Sequence, residues 1–98
     1  MSHTNFDFLQ TLEIVIADRL ENPEANSYTS QLAASGDKRM AQKVGEEAVE
    51  LALASVAGER AEILNEAADL VYHLLVLLMA KGLRLADVVT TLESRHAG

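Results

Sequence analysis

Two pairs of acidic residues have the type and spacing of a metal-binding site. Glu47 with Glu50, and Glu66 with Asp69, are each three residues apart, so on a helix both carboxylates of a pair project from one face. Glu46 stands beside the first pair. Carboxylates that met unpaired in a core would repel one another, and a divalent cation between them removes that objection. The pattern therefore predicts a Mg²⁺ site that acts on a phosphate-rich substrate.

The ligand types favour one class of metal. The two pairs supply oxygen atoms only, with no cysteine and no clustered histidine, which favours Mg²⁺ or Mn²⁺ over zinc. A solvated acidic face is the alternative for either pair alone, but both pairs fall on the helices that look most buried. A di-iron bundle would need Glu-x-x-His from two helices, and the one such pair here is Glu93 with His96, near the end of the chain.

Hydrophobic periodicity predicts an all-α fold in one domain, residues 1–98. Four to five helices are expected, at about Phe6–Glu21, Thr29 or Ser30 to Ser35, Asp37–Ala57, Glu59–Lys81 and Leu85–Arg95. Thr4 or Asn5 would cap the first helix, and Gly36 and Gly82 would follow the ends of two others. Gly45, inside a helix, predicts a close approach by another helix.

The expected helix over residues 59–81 is apolar on nearly every side beyond its acidic stripe. A helix of that kind must be covered all round, which a chain of 98 residues cannot do alone. We therefore predict a homodimer with residues 37–57 and 59–81 at its centre and Tyr72 packed at the interface.

Composition excludes several classes of function. The net charge is −7 and there is no cysteine, which argues against a nucleic-acid binder and excludes disulfides and thiolate chemistry. No signal peptide is evident, and the longest apolar run, Leu74 to Ala80, is shorter than the roughly 20 residues of a membrane span. We expect a soluble cytoplasmic protein without a membrane partner.

The acidic residues and their flanks resemble a known family. Glu46-Glu47-x-x-Glu50 and Glu66-x-x-Asp69, separated by 15 residues, resemble the metal motif of the MazG-like all-α nucleoside triphosphate pyrophosphohydrolases. The flanking strings are similar to phosphoribosyl-ATP pyrophosphohydrolase. They are Ser27 to Ser30, Gly36, Arg39, Gln42 to Glu47, and Glu66 to Leu75.

The resemblance implies a MazG-like helical bundle completed by homodimerisation. It also implies Mg²⁺-dependent hydrolysis of 1-(5-phosphoribosyl)-ATP to 1-(5-phosphoribosyl)-AMP and pyrophosphate, in histidine biosynthesis. In many organisms this domain is fused to a cyclohydrolase, and the short chain suggests the stand-alone form. Two alternatives stay open: a house-cleaning hydrolase of dUTP, dCTP or non-standard nucleotides, and a non-enzymatic dimerisation module whose acids form a solvated seam.

The predicted ligands of Mg²⁺ are Glu47, Glu50, Glu66 and Asp69. Glu46 would orient or deprotonate the attacking water, with a peripheral acid as an equal alternative.

Arg39 and Lys43 lie one turn apart before Glu47. They would grip phosphate oxygens, or else form ordinary i, i+4 ion pairs. The hydroxyls of Tyr28, Thr29 and Ser30 would contact the ribose phosphate or base, or cap a helix. His73, one turn after Asp69, would hydrogen-bond a ligand carboxylate or be a core residue.

Overall fold

Five α-helices make up the regular structure of residues 5–97, the part of the chain that this computed structural model describes. They are α1 (Phe8–Glu21), α2 (Tyr28–Ala34), α3 (Asp37–Ala57), α4 (Arg60–Ala80) and α5 (Leu85–Arg95). No strand occurs within those residues. The prediction of an all-α fold with four to five helices is confirmed.

The longest helices, α3 and α4, form an antiparallel hairpin that is the most extensive helix pair in the fold. Two residues, Gly58 and Glu59, connect them. A Cβ atom on Gly58 would lie 2.6 Å from the carbonyl oxygen of Ala54 and 2.6 Å from Oε2 of Glu62. Only glycine fits there without a shift of the backbone, so Gly58 sets the tight turn that brings the helices side by side.

The hydrophobic core lies where α1 and α2 cover one side of this hairpin. Its buried members come from four helices: Ile16, Leu32, Met40, Leu75 and Val76. Because α4 supplies two of them, one face of α4 is fixed toward α1 and α2. The register of α4 against α3 then decides which of its polar residues meet the polar stripe of α3.

Glycines end two helices as predicted. Gly36 follows α2 with φ +97°, and Gly82 follows α4 with φ +76°, a region that glycine enters without steric cost. After α4, the backbone N–H of Leu83 donates to the Leu78 carbonyl at 2.8 Å and that of Gly82 to Met79 at 3.0 Å. These are the two hydrogen bonds of a Schellman motif.

The caps at the starts of helices differ in part from the prediction. Ser27, and not Thr29 or Ser30, caps α2, and its Oγ accepts from the Ser30 N–H at 3.1 Å. Asn5 acts before α1, where its Oδ1 accepts from the Asp7 N–H at 2.9 Å, and Thr4 lies outside the described residues. Several adjacent residues in this segment are able to cap a helix, so the sequence did not single out Ser27. Thr29 does not cap α2, because its side chain is buried and its hydroxyl pairs with that of Tyr72.

One buried acid was not singled out from the sequence. Glu13, 3% exposed, accepts a hydrogen bond from the Leu85 N–H at 2.9 Å and lies 3.5 Å from Nη2 of Arg84. From its place on α1, Glu13 therefore accepts from one of the backbone N–H groups in the first turn of α5 that have no partner within that helix. The available signal was its place four residues after Leu9, on the apolar face of α1.

Helix α4 is long and apolar enough, by length and composition alone, to cross a membrane. One such helix is weak evidence, since the core helix of a soluble protein meets the same criteria. Within this chain 17% of its apolar window is buried, and α4 carries Glu66 and Asp69 toward α3.

The two glycines of the α3 region give a matched pair of tests. Apart from its chain neighbours and the backbone of its own helix, no described atom lies within 4 Å of a Cβ built on Gly45, so the predicted close approach at that residue is wrong within this chain. We expect Gly45→Ala to stabilise the fold by about 0.8–1 kcal/mol, because alanine is the better helix residue.

Gly58→Ala should lower the free energy of unfolding by about 1–3 kcal/mol, because the new Cβ atom clashes with the carbonyl oxygen of Ala54. Urea unfolding followed by circular dichroism measures both, and a tolerated Gly58→Ala would contradict the account of the turn.

Candidate metal centre

The hairpin places the two acidic pairs opposite each other. Glu47 lies ten residues before the last residue of α3, and Asp69 lies nine residues after the first residue of α4. Glu50 and Glu66 lie seven and six residues from the same ends. With a rise of about 1.5 Å per residue, each acid of α3 stands almost level with one acid of α4.

Three of these carboxylates converge on one point. One oxygen each from Glu47, Glu66 and Asp69 lies within 4.8 Å of the others. Glu47 is 5% exposed, Glu66 is half-buried and Asp69 faces solvent. The centre therefore has a buried floor and an open side, as a site that admits a large substrate requires.

Two oxygen atoms of the centre lack protein partners. Oε2 of Glu47 and Oε2 of Glu66 are buried, and neither has a hydrogen-bond partner within residues 5–97. Leaving a buried carboxylate oxygen unpaired is costly, so the arrangement indicates that another species satisfies it. Converging hard oxygen donors fit Mg²⁺ or Mn²⁺, and the donor set fits the predicted metal.

Glu50 stands at the exposed rim of this centre. A hydrogen bond with Glu66 raises the pKa of the Glu50 carboxyl, and the negative charges of Glu47 and Glu66 raise it further. Without a cation, the Glu50 carboxyl thus keeps its proton to a higher pH than an ordinary glutamate, because its pKa is raised. The fourth predicted ligand is therefore next to the other acids, although the tight group of three does not include it.

The cations of α3 pair with its acids. Nζ of Lys43 lies 3.2 Å from Oε1 of Glu47 and 3.6 Å from Oε1 of Glu46. Nη1 of Arg39 lies 3.8 Å from Oε2 of Glu46, which also accepts from Nε2 of Gln42 at 3.1 Å. The hydrogen bond with Glu47 raises the pKa of Lys43. The i, i+4 pairing given as an alternative for Lys43 is present, and its phosphate-binding role stays a prediction.

Glu46 is placed outside the converging group. Its two oxygens are engaged by Arg39, Lys43 and Gln42 on the surface of α3. This supports the peripheral role that the sequence left open for it, and its role toward water stays a prediction.

His73 connects the centre to α2. Nδ1 lies 2.7 Å from the Asp69 carbonyl oxygen, which can only accept, so Nδ1 carries the proton. Nε2 of the neutral ring then accepts from the Tyr28 hydroxyl at 2.8 Å. Of the two roles predicted for His73, the structure favours the core residue, because it is 7% exposed and its ring contacts the backbone of Asp69 and not a ligand carboxylate.

The other two hydroxyls of α2 point into the protein. Thr29 is buried, and its hydroxyl pairs with that of Tyr72. Ser30 is buried, donates to the Arg19 carbonyl at 3.0 Å and accepts from the Glu24 N–H at 3.1 Å. These partners favour structural roles for both, and their predicted contacts with substrate stay predictions. The predicted interface position of Tyr72 likewise stays a prediction.

The raised pKa of Glu50 gives a test by pH. A raised pKa contributes stability that is present below the unfolded-state pKa and is lost as pH rises through the folded-state pKa. In EDTA, Glu50→Gln should therefore have a higher melting temperature than the parent at pH 7, and the difference should shrink toward pH 4. Differential scanning fluorimetry measures it, with Glu93→Gln on exposed α5 as the control. An equal difference at both pH values would contradict the assignment.

Comparison with known proteins identifies the family. The model of the phosphoribosyl-ATP pyrophosphohydrolase family matches residues 9–96. The histidine biosynthesis bifunctional protein HisIE of Photobacterium profundum is 53% identical over 89 residues, which are 91% of this chain and 43% of that protein. The proteins of the same name from Escherichia coli and Xanthomonas campestris are 54% and 55% identical, with 91% of this chain matched and 44% and 43% of theirs.

The chain thus spans less than half the length of these curated relatives. The matched region contains α1 from Leu9, all of α2, α3 and α4, and all of α5, so it includes both acidic pairs. With a match over nearly its whole length, the chain belongs to the phosphoribosyl-ATP pyrophosphohydrolase family.

Proposed function

We propose that this chain hydrolyses the α–β phosphoanhydride of 1-(5-phosphoribosyl)-ATP, with Mg²⁺, to 1-(5-phosphoribosyl)-AMP and pyrophosphate in histidine biosynthesis. The observation that carries the proposal is the pair of buried carboxylate oxygens of Glu47 and Glu66, which have no partner within residues 5–97 and lie within the family match. A cytoplasmic location goes with this proposal.

Glu47, Glu66 and Asp69 would hold the Mg²⁺, with Glu50 at the rim. When bound, the cation neutralises charge on the phosphate oxygens as the anhydride bond breaks. The basic residues of α3 would bind the phosphate oxygens. Lys43 already lies 3.2 Å from Glu47, so its ammonium group is positioned to donate to phosphate oxygens at the edge of the centre.

Binding a polyphosphate would redistribute the ion pairs of α3. Arg39 and Lys43 now contact Glu46, and a phosphate offers both a stronger anionic partner. Once they turn to the phosphate, Glu46 loses two of its three partners and becomes available to orient or deprotonate the attacking water, which is the predicted alternative to its peripheral role. Water oxygen adds to phosphorus, the phosphoanhydride bond breaks, and pyrophosphate leaves.

The two alternative functions are less well supported. A house-cleaning nucleotide hydrolase would use the same centre, but the family match favours the phosphoribosyl substrate. In a dimerisation module the acids would be solvated, whereas Glu47 is buried with an unpaired oxygen.

A homodimer is part of the proposal. Large apolar side chains on the outer face of α3 are exposed: Val49 at 58%, Leu53 at 66% and Val56 at 86%. Leu64 and Val71 on α4 are also exposed, at 54% and 40%. A second copy that covered these faces of the hairpin would remove them from water and complete the core.

Activity tests the central proposal. Glu47→Gln and Asp69→Asn each remove a charged ligand oxygen, and we expect each to lower Mg²⁺-dependent pyrophosphate release at least about 100-fold. Glu93→Gln, an equal change on exposed α5, should match the parent enzyme. A panel of ATP, dUTP and dCTP beside phosphoribosyl-ATP identifies the substrate. Full activity of Glu47→Gln, or equal turnover of the whole panel, would overturn the proposal.

The dimer is tested separately by light scattering. The parent chain of 10.6 kDa should elute with about twice that mass. Leu53→Glu places a charge on the exposed face of α3 and should produce monomers. Leu92→Glu on α5, where the residue is 47% exposed, is the matched control and should leave the dimer intact. A monomeric parent protein would refute this part.

A further inference from the structure

Aromatic side chains are scarce in this chain, and one stands beside the metal centre. The sequence has two phenylalanines, two tyrosines and no tryptophan. Phe6 precedes α1 and Phe8 begins it, while Tyr28 begins α2 and is 49% exposed. Tyr72 is half-buried, so Tyr28 is the more exposed of the two tyrosines.

Two hydrogen bonds connect Tyr28 to the centre. Its hydroxyl donates to His73, whose other nitrogen donates to the carbonyl of Asp69. Asp69 supplies one of the three converging carboxylate oxygens. Tyr28 is thus linked through His73 to the α4 side of the centre.

Neighbouring rings fix the orientation of Tyr28. Its ring centroid lies 5.7 Å from that of His73 in an edge contact and 6.3 Å from that of Tyr72 in a tilted one. His73 and Tyr72 thus contact the Tyr28 ring from inside the protein, and about half of Tyr28 still faces solvent. A rigid ring that needs no reordering is a good stacking surface for a planar ligand.

We infer that Tyr28 binds the base of the nucleotide substrate by stacking and that His73 is the residue that positions it. This inference rests on the proposed function, because the base then belongs to a nucleotide whose phosphates occupy the adjacent centre. It explains why one ring nitrogen of His73 bonds to the Tyr28 hydroxyl while the other bonds to the backbone of Asp69. It also explains why a half-exposed aromatic residue stands beside a polar site.

Two probes that share a triphosphate and differ in the adenosine group provide the first test. With tyrosines labelled by ¹³C, the protein gives ring signals from Tyr28 and Tyr72 alone, and Tyr72→Phe assigns them. In the presence of Mg²⁺, ATP should move the Tyr28 ring signals upfield through the ring current of adenine. Inorganic triphosphate should not. Equal shifts with both probes, or none with ATP, would overturn the inference.

Kinetics provide the second test. Stacking on an aromatic side chain is worth about 1–3 kcal/mol per base, so Tyr28→Leu should raise KM about 5- to 150-fold with little change in kcat. Tyr28→Phe keeps the ring and loses the bond to His73, so its KM should rise less. His73→Leu should raise KM and reduce the ATP-induced shift of Tyr28, since the ring is no longer held.

The matched control is Tyr72→Phe. It removes a hydroxyl contact between the same two helices, at Thr29, and should leave KM unchanged. If Tyr28→Leu and Tyr72→Phe had equal KM values, Tyr28 would be only a structural link. Failure of the proposed reaction and failure of the stacking role can be distinguished. An inactive parent protein refutes the proposed reaction. The ATP titration, which needs no turnover, still decides whether Tyr28 stacks on a base.

Discussion

Repulsion among carboxylates on two facing helices is the constraint on which this structure depends. Glu47 and Glu66 each bury an oxygen that no group of residues 5–97 satisfies, and Asp69 brings a third oxygen within 4.8 Å. Electrostatic repulsion alone would drive these side chains apart or outward. They stay together because the hairpin of α3 and α4 is held by apolar contacts elsewhere, so the cost of the centre is met by the rest of the fold.

The turn at Gly58 and the core are the two parts that enforce this closeness. The turn sets the heights of the acids on the two helices, and the core fixes which faces meet. Leu75 and Val76 are fully buried about two turns beyond Asp69, so rotating α4 to relax the acids would expose them. The apolar end of α4 therefore acts as the anchor for its acidic end.

The charge pattern explains how an acidic chain can serve a polyanionic ligand. The net charge is −7, yet Arg39 and Lys43 lie on the same stripe as Glu46 and Glu47. In the proposed function the acids would concentrate a cation, and the basic residues would stand at its edge. Local arrangement, and not the overall charge, decides what the site attracts.

Some features followed from the sequence because they depend on local spacing. The helices, their order and the glycine ends at Gly36 and Gly82 follow from periodicity and backbone sterics, which act within a few residues. The spacing of the acidic pairs gave the metal hypothesis for the same reason. The apolar surface of α4 likewise showed that the chain leaves hydrophobic residues to be covered.

Other features were decided only by the tertiary structure. Whether Glu50 belongs to the tight group, whether Thr29 faces a ligand or Tyr72, and what His73 contacts all depend on how helices distant in sequence are rotated against each other. Glu13 became a cap for α5 for the same reason. Side-chain partners across more than 40 residues are set by packing of the whole core, which no local pattern encodes.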